Sequence, residues 1–298
     1  MNLSNPLKEN RKLRLIKSIS ASFIIEKYKD ELGMDVKRFF NNKNEIYLYE
    51  DIDSGYCFYY PFIVGDDSFY QELQKSGWYY QELKWEHQVA KTFVKSTDKV
   101  LEIGCASGSF LEFLTRDGIE AVGLEINKNA IDIALKKNIH VLNESVEKHA
   151  IKKKEYYDIV CSFQVMEHIP DVYNVIKASL NCLKKNGLLI ISVPNNDSYI
   201  KYIDNVLNYP PHHAGLWNKK SLQNLTKKMN LSNPKFYYEP IYNIDFYFRE
   251  IKKIRQKRYG YRIGYIINNI ERMSKNIWYK KFPAFRFDMT ILVKFEKR

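Results

Sequence analysis

Between residues 99 and 193, apolar runs of strand length alternate with segments of helical period. KVLEIG leads into SFLEFLTRDG and AVGLEI into KNAIDIALKK; IHVL, YDIVCSF, DVYNVIKASLNCLKK and GLLIISV follow. Such alternation buries its apolar faces when parallel strands pair and the helices cross over them, so it predicts a doubly wound α/β sheet. LLIISV is apolar throughout, the pattern of a strand covered on both faces. Helix KKSLQNLTKKM, a strand near PKFYYE and a final antiparallel strand in MTILVKFEK complete the expected sheet.

Residues 1–85 have a different character. They are irregular and rich in aromatic rings, with turn signals at Pro61, Gly65 and Gly77. Rings at this density pack against something, so the segment is expected to form a cap or lid over the domain at 86–298. A helical insertion is expected at about 241–283. There the basic run REIKKIRQKR precedes Ile263, Ile266, Ile267, Ile270, Met273 and Ile277, which share one helical face. That face would cover the domain or a second copy of the chain, so a homodimer is compatible with it.

Forty-seven Lys and Arg against 35 Asp and Glu leave a formal charge of +12, which favours anionic partners such as phosphorylated or nucleotide-linked metabolites, nucleic acid or acidic lipid. Cys57, Cys105, Cys161 and Cys182 are widely separated and form no C-x-x-C pair, which fits a reducing compartment. No stretch has the apolar length of a signal peptide core or a membrane span. The expected location is the cytoplasm.

The stretch VLEIGCASGSF, from Val100 to Phe110, is a strand, a glycine turn and a helix start. Dinucleotide sites use G-x-G-x-x-G to bring pyrophosphate to the helix N-terminus. Here the spacing is G-x-x-x-G, at Gly104 and Gly108, followed by Ser109. Glu102, two residues before the first glycine, would repel a pyrophosphate and suits a ligand with an ammonium or sulfonium group. Glu125, at the end of the next strand, stands where a carboxylate accepts hydrogen bonds from ribose hydroxyls.

VLEIGCASGSFL, AVGLEIN, YDIVCSFQVMEHIPD and GLLIISVPN, in this order, resemble the class I S-adenosylmethionine-dependent methyltransferases, and most closely the bacterial small-molecule and glycan members. The resemblance covers about residues 98–235 and returns at the last strand. It implies a Rossmann-like fold, S-adenosylmethionine as cofactor and S-adenosylhomocysteine as its product. It places Glu102 and the turn from Gly104 through Ala106 to Gly108 at the methionine end. Glu125 falls at the ribose, Glu144 near the adenine amino group and Gln164 on the floor near the reactive methyl, with Ile126 and Ser145 also expected to bind the cofactor. Ala106 departs from the glycine that many members carry, and Glu144 from the commoner aspartate. Some members carry paired cysteines near an FYYP-like stretch. Here only Cys57 stands there, and one cysteine needs three further ligands to hold zinc, so no metal is expected.

Methyl transfer from a sulfonium is an in-line displacement that mainly demands alignment, with a base where the nucleophile must lose a proton. The candidates are His168, in MEHIP, and His212 and His213, in NYPPHHAGLW, with His213 preferred. The expected acceptor is a small, anionic molecule such as an activated sugar or glycan precursor, met by the aromatic lead-in acting as a lid. Two rivals are an RNA methyltransferase using the basic insertion and a non-catalytic binding module. Nucleic acid is not the expected partner, because isoleucines at helical spacing explain the basic segment as a solvated helix face. The intact Glu102, Gly104, Gly108 and Glu125 speak against the binding module.

Overall fold

The computed structural model describes residues 5–8, 12–75, 83–198, 204–232, 234–240 and 289–298. Its main sheet has seven strands: β4 (Lys99–Ile103), β5 (Glu120–Leu124), β6 (Val141–Leu142), β7 (Tyr157–Phe163), β8 (Leu183–Pro194), β10 (Lys235–Tyr238) and β11 (Thr290–Glu296). They lie in the order β10-β11-β8-β7-β4-β5-β6. β4 pairs in parallel with both β5 and β7, β5 with β6, and β7 with β8, whereas β11 runs antiparallel to β8 and β10. The strand order reverses beside β4, which opens a crevice at the carboxyl ends of β4 and β7.

Successive residues of the central strands point to opposite faces, and both faces are apolar. Leu101, Ile103, Val160, Leu189, Ile191 and Val193 pack with α6 (Val146–Lys152), α7 (Val172–Cys182) and α8 (Lys219–Lys228). Val100, Ile159, Cys161 and Ile190 pack with α3 (Trp85–Lys91), α4 (Ser109–Thr115) and α5 (Lys128–Lys136). The continuous apolar runs follow from this double covering. α5 starts where its capping residue dictates: the Asn127 side chain accepts the N–H groups of Asn129 and Ala130.

The first 75 residues differ from the irregular segment expected. β1 (Leu13–Ser20), β2 (Glu45–Asp51) and β3 (Cys57–Tyr60) form an antiparallel sheet, flanked by α1 (Ala21–Leu32) and α2 (Asp67–Gln74). Its fourth strand is β9 (Gly215–Leu216), which follows the main sheet's β8 in sequence. Ile24, Tyr28, Ile46, Phe69 and Leu73 share a core with Val206 and Tyr209, and the Tyr28 hydroxyl donates to the Tyr209 carbonyl at 3.0 Å. The sequence showed no strand alternation here because Tyr47, Tyr49, Tyr59 and Tyr60 are amphipathic. The pairing with β9 is also remote in sequence.

Several rings of the aromatic lead-in are core residues. Tyr56, Phe58, Tyr59 and Phe69 are buried, and Tyr56 packs on Trp217 with centroids 4.5 Å apart. Gly77 and its neighbours, the expected insertion at 241–283 and the basic run at 249–258 lie outside the described residues. No helix among the described residues is long and apolar enough to cross a membrane. The four cysteines are unpaired.

Candidate active site

A cavity of about 1160 Å³ opens at the carboxyl end of the parallel strands. It is bounded by the β4–α4 turn, the ends of β5 and β7, the start of α6, the start of α3 and the 205–213 segment. Of the residues singled out in the sequence, Glu102, Gly104, Ala106, Glu125, Ile126, Glu144, Ser145, Gln164, His168 and His213 line it. Gly108 does not. It supports the wall from behind as the left-handed N-cap of α4 (φ 78°), where a Cβ would meet Ile139 at 2.9 Å.

Backbone conformation explains the turn. Gly104 has φ 69°, and a Cβ there would meet Val165 at 2.5 Å. Ala106, two residues on, also has positive φ, 47°. This is the physical reason for a glycine preference at that position, and alanine is the smallest side chain that departs from it. The turn is tied to the next strand by the N–H groups of Gly104 and Cys105, which donate to the Leu124 carbonyl at 2.8 and 3.2 Å.

Glu125 joins the β4–α4 turn to the loop that follows β5. Its Oε2 accepts the Ala106 N–H at 2.9 Å, and its Oε1 accepts the N–H groups of Ile126 and Asn127 at 2.7 and 2.8 Å. Of the four or so lone pairs of a carboxylate, about one on Oε2 is left for a ligand. Ile126 beside it is 69 % exposed, an apolar side chain in the cavity wall. Glu102 is 4 % exposed, and its Oε2 has no hydrogen-bond partner among the described residues. Burial, with the negative charge of Glu125 added, holds its carboxyl well above the usual range. An unpartnered buried carboxyl beside a backbone cradle fits a ligand that brings its own positive charge.

Glu144 lines the cavity, but its carboxylate faces α6. It pairs with His149 Nδ1 at 2.7 Å and Lys152 Nζ at 3.1 Å, which hold its carboxyl below the usual range. Ser145 is the N-cap position of α6. Gln164 has φ 55°; its backbone N–H donates to the Ser192 carbonyl at 3.0 Å, and its amide reaches Glu86 and Ser192. A bulky residue held in the left-handed region is strained backbone, and here it lies on the cavity floor.

His168, His212 and His213 also line the cavity, with ring centroids between 4.6 and 5.2 Å apart. His168 Nδ1 donates to the His212 carbonyl at 2.6 Å. His212 Nδ1 donates to the Leu207 carbonyl at 2.9 Å, and His213 Nδ1 is buried without a partner among the described residues. Burial pushes His168 down to about 4 and the other two well below the ordinary imidazole value, so all three are neutral near pH 7. Glu167 was not singled out in the sequence. It is 1 % exposed, lines the cavity, and receives the Ala214 and Gly215 N–H groups on its backbone carbonyl. Those bonds fasten the histidine-bearing segment to the end of β7. Glu86 and Lys84, at the start of α3, also line the cavity and also went unread. The signals were present as MEH and KWEH, but only the fold turns those side chains inward.

The positive charge of the chain is not concentrated here. Lys84 is the one lysine or arginine among the described lining residues, against eight carboxyl groups: Asp67, Glu86, Glu102, Glu125, Glu144, Glu147, Glu167 and Glu239.

Known proteins align with this arrangement. A methyltransferase-domain family model matches residues 77–235, just over half of the chain. Ubiquinone biosynthesis O-methyltransferase from Yersinia enterocolitica is 32% identical over 109 residues, which are 34% of this chain and 44% of that protein. Its counterpart from Pelagibacter ubique is 31% identical over 167 residues, 49% of this chain and 70% of that protein. The chain thus spans less than half the length of the first of these relatives. Among solved structures, a SAM-dependent methyltransferase from Archaeoglobus fulgidus is similar over 76% of this chain and 100% of its own, with TM-score 0.55 and 18% identity. Another from Thermotoga maritima is similar over 78% and 98%, with TM-score 0.51 and 18% identity. These two likenesses concern the fold.

Proposed function

The chain belongs to the methyltransferase-domain family, with the fold of the class I S-adenosylmethionine-dependent enzymes, and from that premise we propose that it transfers a methyl group from S-adenosylmethionine to an oxygen of a small molecule. The observation that carries the reading is the cavity itself. Glu102, Glu125 and residues of the Gly104–Gly108 turn line it together with Glu167, His168, His212 and His213.

Bound in this cavity, S-adenosylmethionine supplies an electrophilic methyl group on a sulfonium. The chain's own residues then have separable tasks. Glu102 meets the positive charge of the methionine end. Glu125 offers its remaining lone pair to a ribose hydroxyl, and Ile126 presents an apolar surface to the adenine. Gln164 forms the floor between cofactor and acceptor. His213 and His168 orient the acceptor hydroxyl, and a neutral imidazole there can take its proton. The wall from Val64 to Tyr70 limits access of water, which alignment-driven transfer requires.

Oxygen as the acceptor atom is supported by the relatives named as ubiquinone biosynthesis O-methyltransferases. The anionic sugar or glycan precursor expected from net charge is favoured less, because Lys84 alone among the described wall residues would meet a phosphate. Titration calorimetry tests the proposal. S-adenosylmethionine and S-adenosylhomocysteine should bind with one site per chain and NAD should not. Tighter binding of NAD than of either sulfur compound would end the reading.

A further inference from the structure

Methyl transfer needs at most one acceptor-side base, yet the cavity holds three imidazoles together. His168 follows β7, and His212 and His213 precede β9, so two distant segments build the cluster. One ring nitrogen from each residue lies within 4.8 Å of one from each of the others. The rings are also oriented. Nδ1 of His168 and Nδ1 of His212 each face a backbone carbonyl, at 2.6 and 2.9 Å. A carbonyl only accepts, so both Nδ1 atoms carry the proton, and Nε2 is the lone-pair nitrogen of each neutral ring. Anchoring one ring nitrogen on a carbonyl is how proteins fix a metal-ligating histidine. Nδ1 of His213 is buried with no partner among the described residues.

We propose that His168, His212 and His213 bind a first-row divalent cation of the zinc type at the acceptor end of the cavity. Three imidazoles suit zinc, cobalt or iron(II) better than magnesium or calcium, which prefer oxygen ligands. With metal–nitrogen bonds of about 2.0–2.1 Å, a tetrahedral ion sets its ligand nitrogens about 3.4 Å apart, so the rings need to close by no more than about 1.5 Å. All three ligands come from the cavity wall, and a three-ligand site keeps a coordination position open. An acceptor oxygen would fill it. That last assignment rests on the methyl-transfer reading, whereas the cation site stands without it. The expectation of no metal rested on the cysteines alone, whereas His212 and His213 lie 44 and 45 residues beyond His168.

The test uses the full chain freed of any affinity histidines and stripped with a chelator, with Co²⁺ as the probe. We expect one Co²⁺ per chain, visible ligand-field absorption typical of low coordination number, and displacement by Zn²⁺. His213→Asn and His168→Gln should each weaken Co²⁺ binding by more than the roughly 10–100-fold that loss of an outer-sphere partner costs. S-adenosylhomocysteine binding reports that each variant is folded. Should the variants fail to fold, zinc-edge X-ray absorption of the unmodified protein decides, with three imidazole ligands expected. An all-oxygen shell, no stoichiometric Co²⁺ binding, or unchanged Co²⁺ affinity in folded variants would overturn the site. Cation binding without S-adenosylhomocysteine binding would leave the site standing and remove the methyl-transfer reading instead.

Discussion

Glu125 accepts the backbone N–H of Ala106 at 2.9 Å, and this bond ties the glycine turn after β4 to the end of β5. The same carboxylate that is proposed to hold the ribose therefore also holds the turn that shapes the methionine end. Replacing it should affect both. Glu125→Ala should weaken S-adenosylhomocysteine binding by about 1.5–3 kcal/mol, the range for a hydrogen bond to a charged group. It should also lower the melting temperature of the ligand-free chain, because three backbone donors lose their acceptor. Calorimetry and thermal melts check the two effects separately. A folded variant with unchanged affinity would free Glu125 of the ribose role.

Ala106 has φ 47° in that turn. Ala106→Gly should relieve about 1–2 kcal/mol of left-handed strain and cost about 0.4–1 kcal/mol through a more flexible unfolded chain, for a net gain between about 0 and 1.6 kcal/mol, centred on about 0.8. The melting temperature should rise by about 1–3 °C. A lower melting temperature would mean that the alanine methyl makes a packing contact worth more than its strain.

Glu102 keeps its proton to well above the usual carboxyl range because it is buried beside the charge of Glu125. The folded, ligand-free chain thus holds a proton that the unfolded chain releases above about pH 4.5. Its contribution to stability is present at low pH and is lost as pH rises through the folded value. A cationic ligand favours the ionised form, so binding should expel the proton. Cofactor affinity should rise with pH, and calorimetry in buffers of different ionisation enthalpy should detect about one proton released per site by this linkage. Glu102→Gln should abolish the release. Unchanged proton release in that variant would place the linkage on another group.

His213→Ala should lower turnover by roughly 10²-fold or more, the scale of losing a group that acts on the acceptor proton. Cofactor affinity should stay nearly intact, since His213 belongs to the 205–213 segment and not to the glycine turn or the end of β5. Single-turnover rates with calorimetry alongside would separate the two. Equal losses in rate and in cofactor affinity would show that the variant distorts the whole cavity.

The sequence determined the sheet and the cofactor side because both are local in the chain. A strand covered on both faces is largely apolar along its central positions, so the cores of β4, β7 and β8 could be read one by one. The turn from Gly104 to Gly108 and the carboxylates at Glu102 and Glu125 occur at fixed spacings within adjacent βα units. The tertiary structure decided the rest. Tyr56, Phe58 and Phe69 read as lid residues because their ring density is visible in sequence, while their burial against Trp217, Tyr28 and each other is not. β9 is a two-residue strand whose partner, β3, lies more than 150 residues earlier, and no periodicity announces so short an element. That pairing, with the Ala214 and Gly215 N–H groups on the Glu167 carbonyl, swings His212 and His213 against His168. Sequence spacing records distance along the chain, and the acceptor side is built from segments that meet only because two separate sheets have closed on them.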